Sequence, residues 1–453
     1  MSSRRKTKKK FIELSPSREV AFRVLRRVEE RREDPATALH HSSSRELSPA
    51  DRDLATEIVY GVLRWRARLD YVIAAHAKRA LSKIDPVLLR ALRIGLYQLR
   101  FLSRIPPHAA VDESVRLARA FRASRGAGLV NAVLRSTLRR PELPSLPDRA
   151  NQLDYLSVAL SHPRWLVQRY LARDGFETAE RRCTVQNEAP SVFLRVSHHL
   201  DLDAAQRMLS DDGVSAEIFP LVPGCLRVVS GRVQQSKLYE KGLVFIQDAG
   251  SQLVPRLVAA KKGEPVLDLC AAPGAKSTGL AELAGVGSVI ALDLRLRRAG
   301  LIASLADRLG MENVRPVVAD VRRLPTMAFF ERILLDVPCS SLGTVRRNPD
   351  IKWRVCEEDL DAFSALQSAL LRSASERLAV GGRLVYATCS SEPEENEAVV
   401  EGFLAVNESF HLVDCGPSLP ESARHLAAEG VFRTFPERDA VDGYFAAVLT
   451  RAR

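Results

Sequence analysis

The stretch Val266-Leu-Asp-Leu-Cys-Ala-Ala-Pro-Gly-Ala-Lys-Ser277 limits what this chain can fold into more than any other. Residues 265–269 read as a short buried strand and residues 271–275 as a tight loop of small side chains. From Lys276 the apolar positions Leu280 and Leu283 take helical spacing. A strand feeding such a loop and then a helix is how α/β folds approach a nucleotide. Without bulky side chains, backbone N–H groups and the helix N-terminus come close to the ligand. The next strand, 288–292, ends in Asp293, and a carboxylate about 20 residues past the glycine suits the two hydroxyls of a ribose. Two common nucleotide motifs are absent. A dinucleotide site needs G-x-G-x-x-G, and only Gly274 is present. A P-loop needs Gly-Lys-Ser preceded by a glycine, and here the chain has Gly-Ala-Lys-Ser with leucine at 269. From this stretch alone, an ordinary strand–turn–helix without a ligand stays open.

Three more strand ends narrow the choice. Residues 314–319 end in Asp320, residues 332–335 in Asp336-Val-Pro-Cys-Ser340, and residues 383–387 in Thr388-Cys-Ser-Ser391. Ligands in open α/β sheets bind outside the carboxyl ends of the strands, so three acids and two cysteines are aimed at one crevice. With a Pro-Cys and a Thr-Cys motif on neighbouring strands, the chain resembles the S-adenosylmethionine-dependent RNA cytosine-C5 methyltransferases. Within them it is most similar to the bacterial RsmB (Sun, Fmu) family that modifies 16S rRNA.

The charge distribution agrees with a polyanionic substrate. Net charge is +12, but residues 1–140 carry 31 Lys and Arg against 14 Asp and Glu, and the remainder carries 36 against 41. A basic module joined to a slightly acidic catalytic part suggests a salt-dependent phosphate contact. At 453 residues, with 46% hydrophobic and 27% charged side chains, two or three soluble domains are expected. The seven cysteines show no C-x-x-C spacing, so no metal is expected. No signal peptide or membrane-length apolar run is read, so a cytoplasmic protein without membrane contact is expected, with reduced thiols.

In chain order, residues 1–10 form a basic tail, expected to be disordered. Helices are read at 17–30 (Val20, Val24 and Val28 at four-residue spacing), 49–64 (Ser48 as cap, Asp51 in the first turn), 69–77, 86–102, 111–123 and 127–138. The helix at 86–102, apolar on two faces, is expected at the centre. Nothing up to residue 140 reads as a strand. The words Gly61-Val-Leu-Arg64, Ile94-Gly-Leu-Tyr-Gln98, Arg104-Ile-Pro-Pro-His-Ala109 and Leu129-Val-Asn-Ala-Val-Leu-Arg135 resemble the NusB RNA-binding fold that the family carries at its N-terminus. His108, after two prolines at a helix start, reads as a capping or packing residue, and Arg104, Arg116, Arg119, Arg122 and Arg125 as an RNA face or a solvated one.

Three prolines in 141–147 mark a boundary. A helix at 154–171, strands at 192–196 and 226–229 and a helix at 203–209 make a small α/β module, by resemblance an RNA-recognition extension. Arg195 is read either as a substrate-facing side chain or as an edge-strand surface arginine. Gly242-Leu-Val-Phe-Ile-Gln-Asp248 is expected to open the catalytic domain, Gly381-Gly382 to turn the chain before the Cys389 strand, and 444–450 to close the sheet, antiparallel by resemblance. The expected fold is therefore multidomain: a basic tail (1–10), an all-α NusB-like domain (11–140), a small α/β RNA-recognition module (148–236) and an α/β Rossmann-like methyltransferase domain (237–453).

What the resemblance implies is specific. The cofactor is S-adenosyl-L-methionine. Cys270, Ala271, Ala272, Pro273, Gly274, Ala275 and Lys276 wrap its methionine end, Asp293 holds the ribose and Asp320 the adenine amino group. Cys389 attacks C6 of cytosine and Cys339 assists product release, the reverse assignment being the alternative. Asp336 reaches the N3/N4 edge of the base and lies near the cofactor's methyl. Residues 346–353, with Trp353, form a substrate-binding flap. The partner is 16S rRNA, free or in an early particle, and the protein acts as a monomer. Departures from the family pattern are Ala275 for glycine, Val337 for alanine and Asn348 for histidine. The rival readings are the same chemistry on tRNA or large-subunit rRNA, and a non-catalytic RNA-binding factor with a vestigial methyltransferase domain.

Overall fold

The computed structural model describes residues 14–42, 47–283, 285, 287–324 and 327–452. The expected basic tail lies outside them. The chain divides into two compact units, one made of residues 1–188 with Asn348–Arg354, the other of Ala189–Arg347 with Val355–Arg453.

The first unit is helical: Pro16–Arg31, Pro35–Ser42, Pro49–Arg64, Arg66–Ala77, Pro86–Phe101, Pro107–Ala120, Ala127–Arg139 and Arg164–Gln186. Five of these start on a proline, whose missing N–H and fixed φ suit the first helical turn. Ser48 accepts the Asp51 N–H at 3.1 Å, the expected cap, and Asp85 accepts that of Val87 at 2.8 Å. The helix Pro86–Phe101 is buried on most faces and forms the centre. Two glycines from the recognised words permit the close crossings. A Cβ on Gly95 would stand 2.5 Å from Leu134 Cδ1 and from Ser114 Oγ, and one on Gly61 would run into the Tyr97 ring. The short helix Pro35–Ser42 was not read from the sequence.

Beyond the proline-rich boundary the expected helix at 154–171 is interrupted. Gln152–Asp154 and a π-turn at Tyr155–Ala159 end before Pro163, and Arg164–Gln186 follows as two helical stretches broken at Gly175, where φ is +74° and ψ 172°. Pro163 cannot donate to the preceding turn and biases His162 away from helical backbone. The residues 164–186 fall with the helical unit. Of the capping or packing roles expected of His108, neither is found: it is exposed, and Pro106 holds the N-cap of Pro107–Ala120 with no side-chain cap bond. Arg104, Arg119, Arg122 and Arg125 are exposed, and Arg116 pairs with Asp112 at 2.8 Å.

The expected flap is corrected by the same unit. Lys352 is fully buried and donates to the Arg64 carbonyl at 3.1 Å and to Asn187 Oδ1 at 3.2 Å; Trp353 Nε1 donates to the Leu63 carbonyl at 2.6 Å. Segment 348–354 is therefore an anchor in the helical unit rather than a substrate flap.

The second unit holds two sheets. The smaller is antiparallel, in the order β2-β3-β1-β4, from β1 (Val192–Val196), β2 (Ser215–Ile218), β3 (Cys225–Ser230) and β4 (Val244–Ile246). β4 belongs to the stretch expected to open the catalytic domain, and it pairs with β1 of this smaller sheet. Asp201 caps the helix Leu202–Asp211.

The larger sheet contains β5 (Val266–Leu269), β6 (Val289–Asp293), β7 (Val314–Val318), β8 (Phe330–Asp336), β9 (Leu378–Thr388), β10 (Phe410–Val413), β11 (Ala427–Ala428), β12 (Val431–Thr434) and β13 (Tyr444–Arg451). Its order is β11-β12-β13-β9-β8-β5-β6-β7, with β10 paired to β13. β5 through β9 are mutually parallel, and β13 runs antiparallel to β9, as expected. Gly381-Gly382 does not turn the chain: Gly381, at φ +74°, lies inside β9, where the register against β8 shifts. The chain order reverses between β5 and β8, so the crevice outside their carboxyl ends is the place for a ligand.

Two buried arginines hold the helical unit. Arg90 meets Glu29 at 2.7 Å, and Arg93 meets Asp70 at 2.7 Å and Glu29 at 2.9 Å. Glu29→Ala takes one carboxylate from both arginines, leaving Asp70 to Arg93 and Glu30 to Arg90, and should cost about 1.5–3 kcal/mol in a denaturant melt of this unit's transition. A loss under about 1 kcal/mol would show that the network carries no such load.

Candidate active site

Strand register aligns the expected residues. Leu269 on β5 lies level with Leu292 on β6 and Leu335 on β8; Asp336 lies level with Ala387 on β9, and Asp293 with Val318 on β7. Cys270, Asp293, Asp320, Asp336, Cys339 and Cys389 therefore emerge along one carboxyl edge.

The loop after β5 is tight. Cys270 has φ +62° and Gly274 φ +103°. At Gly274 a Cβ would lie 3.1 Å from Ile302 Cα, so glycine answers both the conformation and the close approach. Ala275, the departure from the family's second glycine, opens the helix Ala275–Glu282 and does not need positive φ. Ala271 N–H donates to the Leu292 carbonyl at 2.8 Å, and Ala272 N–H to Asp293 Oδ2 at 3.3 Å. Pro273 follows in a cis peptide. Beneath the loop, Asp268 is fully buried. Its Oδ2 accepts from Ser277 Oγ at 2.6 Å, while Oδ1 has no partner among the described residues. Burial pushes its carboxyl up to about 7. Cys270 is pushed to about 12 by burial and the surrounding aspartates, so it is not a reactive thiol.

Asp293 is buried at the tip of β6 and also accepts from Arg298 Nε at 3.1 Å and from the Arg295 N–H at 3.2 Å. Asp320 accepts from the Arg322 side chain at 2.7 Å and from its N–H at 3.0 Å; those bonds hold its carboxyl below the usual range. Both arginine side chains are half exposed. These acceptors at adjacent strand tips suit a neutral ribose and an amino group, not a phosphate.

Lys276 reaches back from its helix to Asp336 Oδ2 at 2.7 Å. Burial lowers the lysine's proton affinity, but Asp336 outweighs it and the net shift is upward. The two cysteines meet directly, with Sγ–Sγ 3.3 Å. Cys389 also contacts Ser341 Oγ at 3.4 Å. The hydrogen bond from Cys339 pulls the Cys389 thiol down, against burial, with help from Ser341; that same bond, burial and Glu395's charge hold Cys339 well above the usual range. The pair can thus place one thiolate at Cys389 and keep the proton on Cys339.

Several residues here were not found in the sequence. Glu395 sits fully buried behind both cysteine loops, bonded to Ser340, Ser390 and Gln367. Its run, Glu392-Pro-Glu-Glu-Asn-Glu397, reads as a solvated acidic turn, and no local pattern marks which acid turns inward. Arg347, expected in the flap, instead joins two acids that were not singled out, Asp442 at 2.8 Å and Asp248 at 3.2 Å. Burial and Asp442 push Asp248 up to about 7. Arg195 is corrected: it is nearly buried and donates to Gln247 Oε1 (2.7 Å), the Ala275 carbonyl (2.9 Å) and Thr278 Oγ1 (2.8 Å), with Glu282 at 2.9 Å. It braces the helix behind the loop and stands on an inner strand of the smaller sheet, not an edge.

Comparison with known proteins agrees with this geometry. Residues 255–450 match the 16S rRNA methyltransferase RsmB/F family, residues 15–139 the NusB family, and residues 162–234 the ferredoxin-like domain of RsmF/B-like methyltransferases. A probable ribosomal RNA small subunit methyltransferase B of Bacillus subtilis is 35% identical over 89% of this chain and 91% of that protein. A ribosomal RNA small subunit methyltransferase B of Cronobacter sakazakii is 34% identical over 98% of this chain and all of that protein. The crystal structure of PH0851 superimposes with a TM-score of 0.80 at 27% identity, covering 97% of this chain and 99% of that one.

The thiol asymmetry is measurable. Under iodoacetamide, Cys389 should reach half its maximal rate at a pH below that of free cysteine, about 8.5, while Cys339 reacts only at higher pH. Peptide mass spectrometry reads both; identical profiles would contradict the asymmetry.

Proposed function

Since the chain belongs to the ribosomal RNA small subunit methyltransferase B family, we propose that it transfers the methyl group of S-adenosylmethionine to C5 of a cytidine in 16S rRNA, with Cys389 as the attacking thiolate. The observation that carries this reading is the pair of thiols in contact at the ends of β8 and β9, beside Lys276 and Asp336.

The residues present fit the cofactor. The 270–276 loop with buried Asp268 beneath it is suited to the methionine end, Asp293 to the ribose hydroxyls and Asp320 to the adenine amino group. When bound there, S-adenosylmethionine supplies an electrophilic methyl on a sulfonium.

Cytosine C5 is a poor nucleophile. Addition of the Cys389 thiolate to C6 makes C5 enamine-like and able to take a methyl. Sulfur suits the step because it both adds and leaves readily. The Asp336 carboxylate accepts from the N4 amino group and holds the base edge, while the Lys276 ammonium, 2.7 Å from that carboxylate, offsets the negative charge that develops on the ring as C6 is attacked. A water molecule takes the C5 proton, the C5–C6 double bond re-forms, and the Cys389 sulfur leaves as the thiolate it began as. The Cys339 thiol, 3.3 Å from that sulfur, keeps its proton and hydrogen-bonds to the departing thiolate, which eases elimination and frees the RNA. The base reaches the edge only unstacked, as for other enzymes that act on a base. The exposed arginines Arg104, Arg119, Arg122 and Arg125 of the helical unit are suited to RNA phosphates.

The test is a denaturing gel after incubation with unmodified 16S rRNA and labelled S-adenosylmethionine. Cys389→Ala should give neither methylated RNA nor a protein–RNA band. Cys339→Ala should give a labelled band, stuck after one turnover. A band with Cys389→Ala instead would exchange the two roles. Label on tRNA or large-subunit rRNA alone would move the substrate, and no label from wild type on any RNA would contradict the activity.

A further inference from the structure

The two thiols lie on separate strand ends fifty residues apart in the chain, yet one buried carboxylate reaches both loops. Glu395 accepts the Ser340 N–H at 2.8 Å, the Ser340 and Ser390 hydroxyls, and Gln367 Nε2 at 2.9 Å. Ser340 follows Cys339, and Ser390 follows Cys389. The two hydroxyls also meet each other at 3.1 Å. Gln367 adds a bond to the Pro338 carbonyl at 3.0 Å, on the other side of Cys339. Glu395's own carbonyl is held by Tyr386 OH from β9 at 2.6 Å. Four donors are what the lone pairs of one carboxylate accommodate, so this buried acid is fully bonded.

We propose that Glu395 is a positioning residue that sets the spacing of the two thiols and assigns attack to Cys389 and release to Cys339. The inference rests on the covalent reading above. The geometric part is the double tether: neither cysteine loop can shift without breaking a bond to the same carboxylate. The electrostatic part is the side on which the charge lies. The groups facing the thiol pair are Lys276 from the helix after β5, Asp336 at the end of β8, Tyr386 on β9, Tyr444 on β13 and Glu395. Of the two acids, Asp336 acts on Cys389, where Lys276 opposes it, and Glu395 acts on Cys339. A negative charge behind Cys339 disfavours a second thiolate there and keeps its proton available for the sulfur of Cys389. The carboxylate's four bonds go to the two cysteine loops and to Gln367, so it works through the two thiols.

The experiment compares wild type, Cys339→Ala, Glu395→Gln and Ser390→Ala in the full chain, with 16S rRNA and labelled S-adenosylmethionine. Glutamine keeps the size of the side chain but offers one acceptor oxygen and a donor where two acceptors stood. Adduct lifetime is followed after a chase with unlabelled cofactor. Iodoacetamide selectivity between the thiols and calorimetric cofactor binding are read alongside. Glu395→Gln should hold its adduct roughly 100-fold longer than wild type, the penalty of a misplaced reacting group. Its alkylation ratio should fall toward one, with cofactor affinity within about twofold of wild type. Should Glu395→Gln not fold, Ser390→Ala removes the tether from Glu395 to the Cys389 loop, together with the contact of Ser390 Oγ to Ser340 Oγ and the bond it accepts from the Glu392 N–H, and leaves the carboxylate itself in place; it should lengthen the adduct by roughly tenfold, the worth of one hydrogen bond to a charged group. A folded Glu395→Gln, or Ser390→Ala in its place, that releases RNA and alkylates like wild type overturns the inference alone, provided Cys339→Ala traps RNA. Absence of an adduct with Cys339→Ala overturns the assignment of the thiols, and this inference with it.

Discussion

Parallel pairing of β8 with β9 is the constraint on which the active site depends. The register that sets Asp336 level with Ala387 brings the Pro-Cys loop and the Thr-Cys loop out side by side. One residue of slip would turn every side chain of one strand to the other face and separate the sulfurs. The register is protected by burial on both faces: Leu334 and Val385 lie in one apolar core, and Ile333, Leu335, Leu384 and Tyr386 in the other. The glycine pair in β9 absorbs a mismatch at the far end of the pairing, away from the cysteines. Chemistry at the strand tips is thus set by packing a few residues back.

The second theme is the use of buried charge. Lys276 with Asp336, Arg195 with Glu282, Arg347 with Asp248 and Asp442, and Glu395 with its four donors all stand around the loops of one edge. Each is costly to remove from water and tolerable only when its partners are in place, so each holds a loop to one geometry. Arg195 links β1 of the smaller sheet to the helix Ala275–Glu282. The smaller sheet and the 270–276 loop are therefore mechanically joined within this unit.

The strand ends were legible because each is a run of apolar residues stopped by an acid or a cysteine, and the α/β rule sends all such ends to one side. The helical unit was legible from apolar spacing and from Pro, Ser and Asp at helix starts. What was not legible depends on which polar side chain turns inward. Arg195 alternates with apolar neighbours as a surface arginine does, and only the helix packed on β1 buries it. Lys352 and Trp353 follow a reactive loop in sequence but are captured by the carbonyls of Arg64, Leu63 and the side chain of Asn187. Glu395 is one of four glutamates in a six-residue run, and only the position of the two serines selects it. Val244–Ile246 carries the pattern of a buried strand, which does not say which of two sheets it joins. In each case local pattern fixed the element and tertiary partners fixed its use.

The central claim is that Cys389 carries the covalent bond to the base. Incorporation of 5-fluorocytidine into 16S rRNA tests it most directly with the unaltered enzyme. After attack at C6 and methylation, the fluorine at C5 cannot leave as a proton does, and the adduct persists. Digestion and mass spectrometry then identify the peptide attached to the nucleotide. The account predicts a methylated fluoropyrimidine on the peptide containing Cys389. Attachment at Cys339, or complete absence of a cofactor-dependent adduct on an RNA that the enzyme methylates in its unfluorinated form, would contradict it.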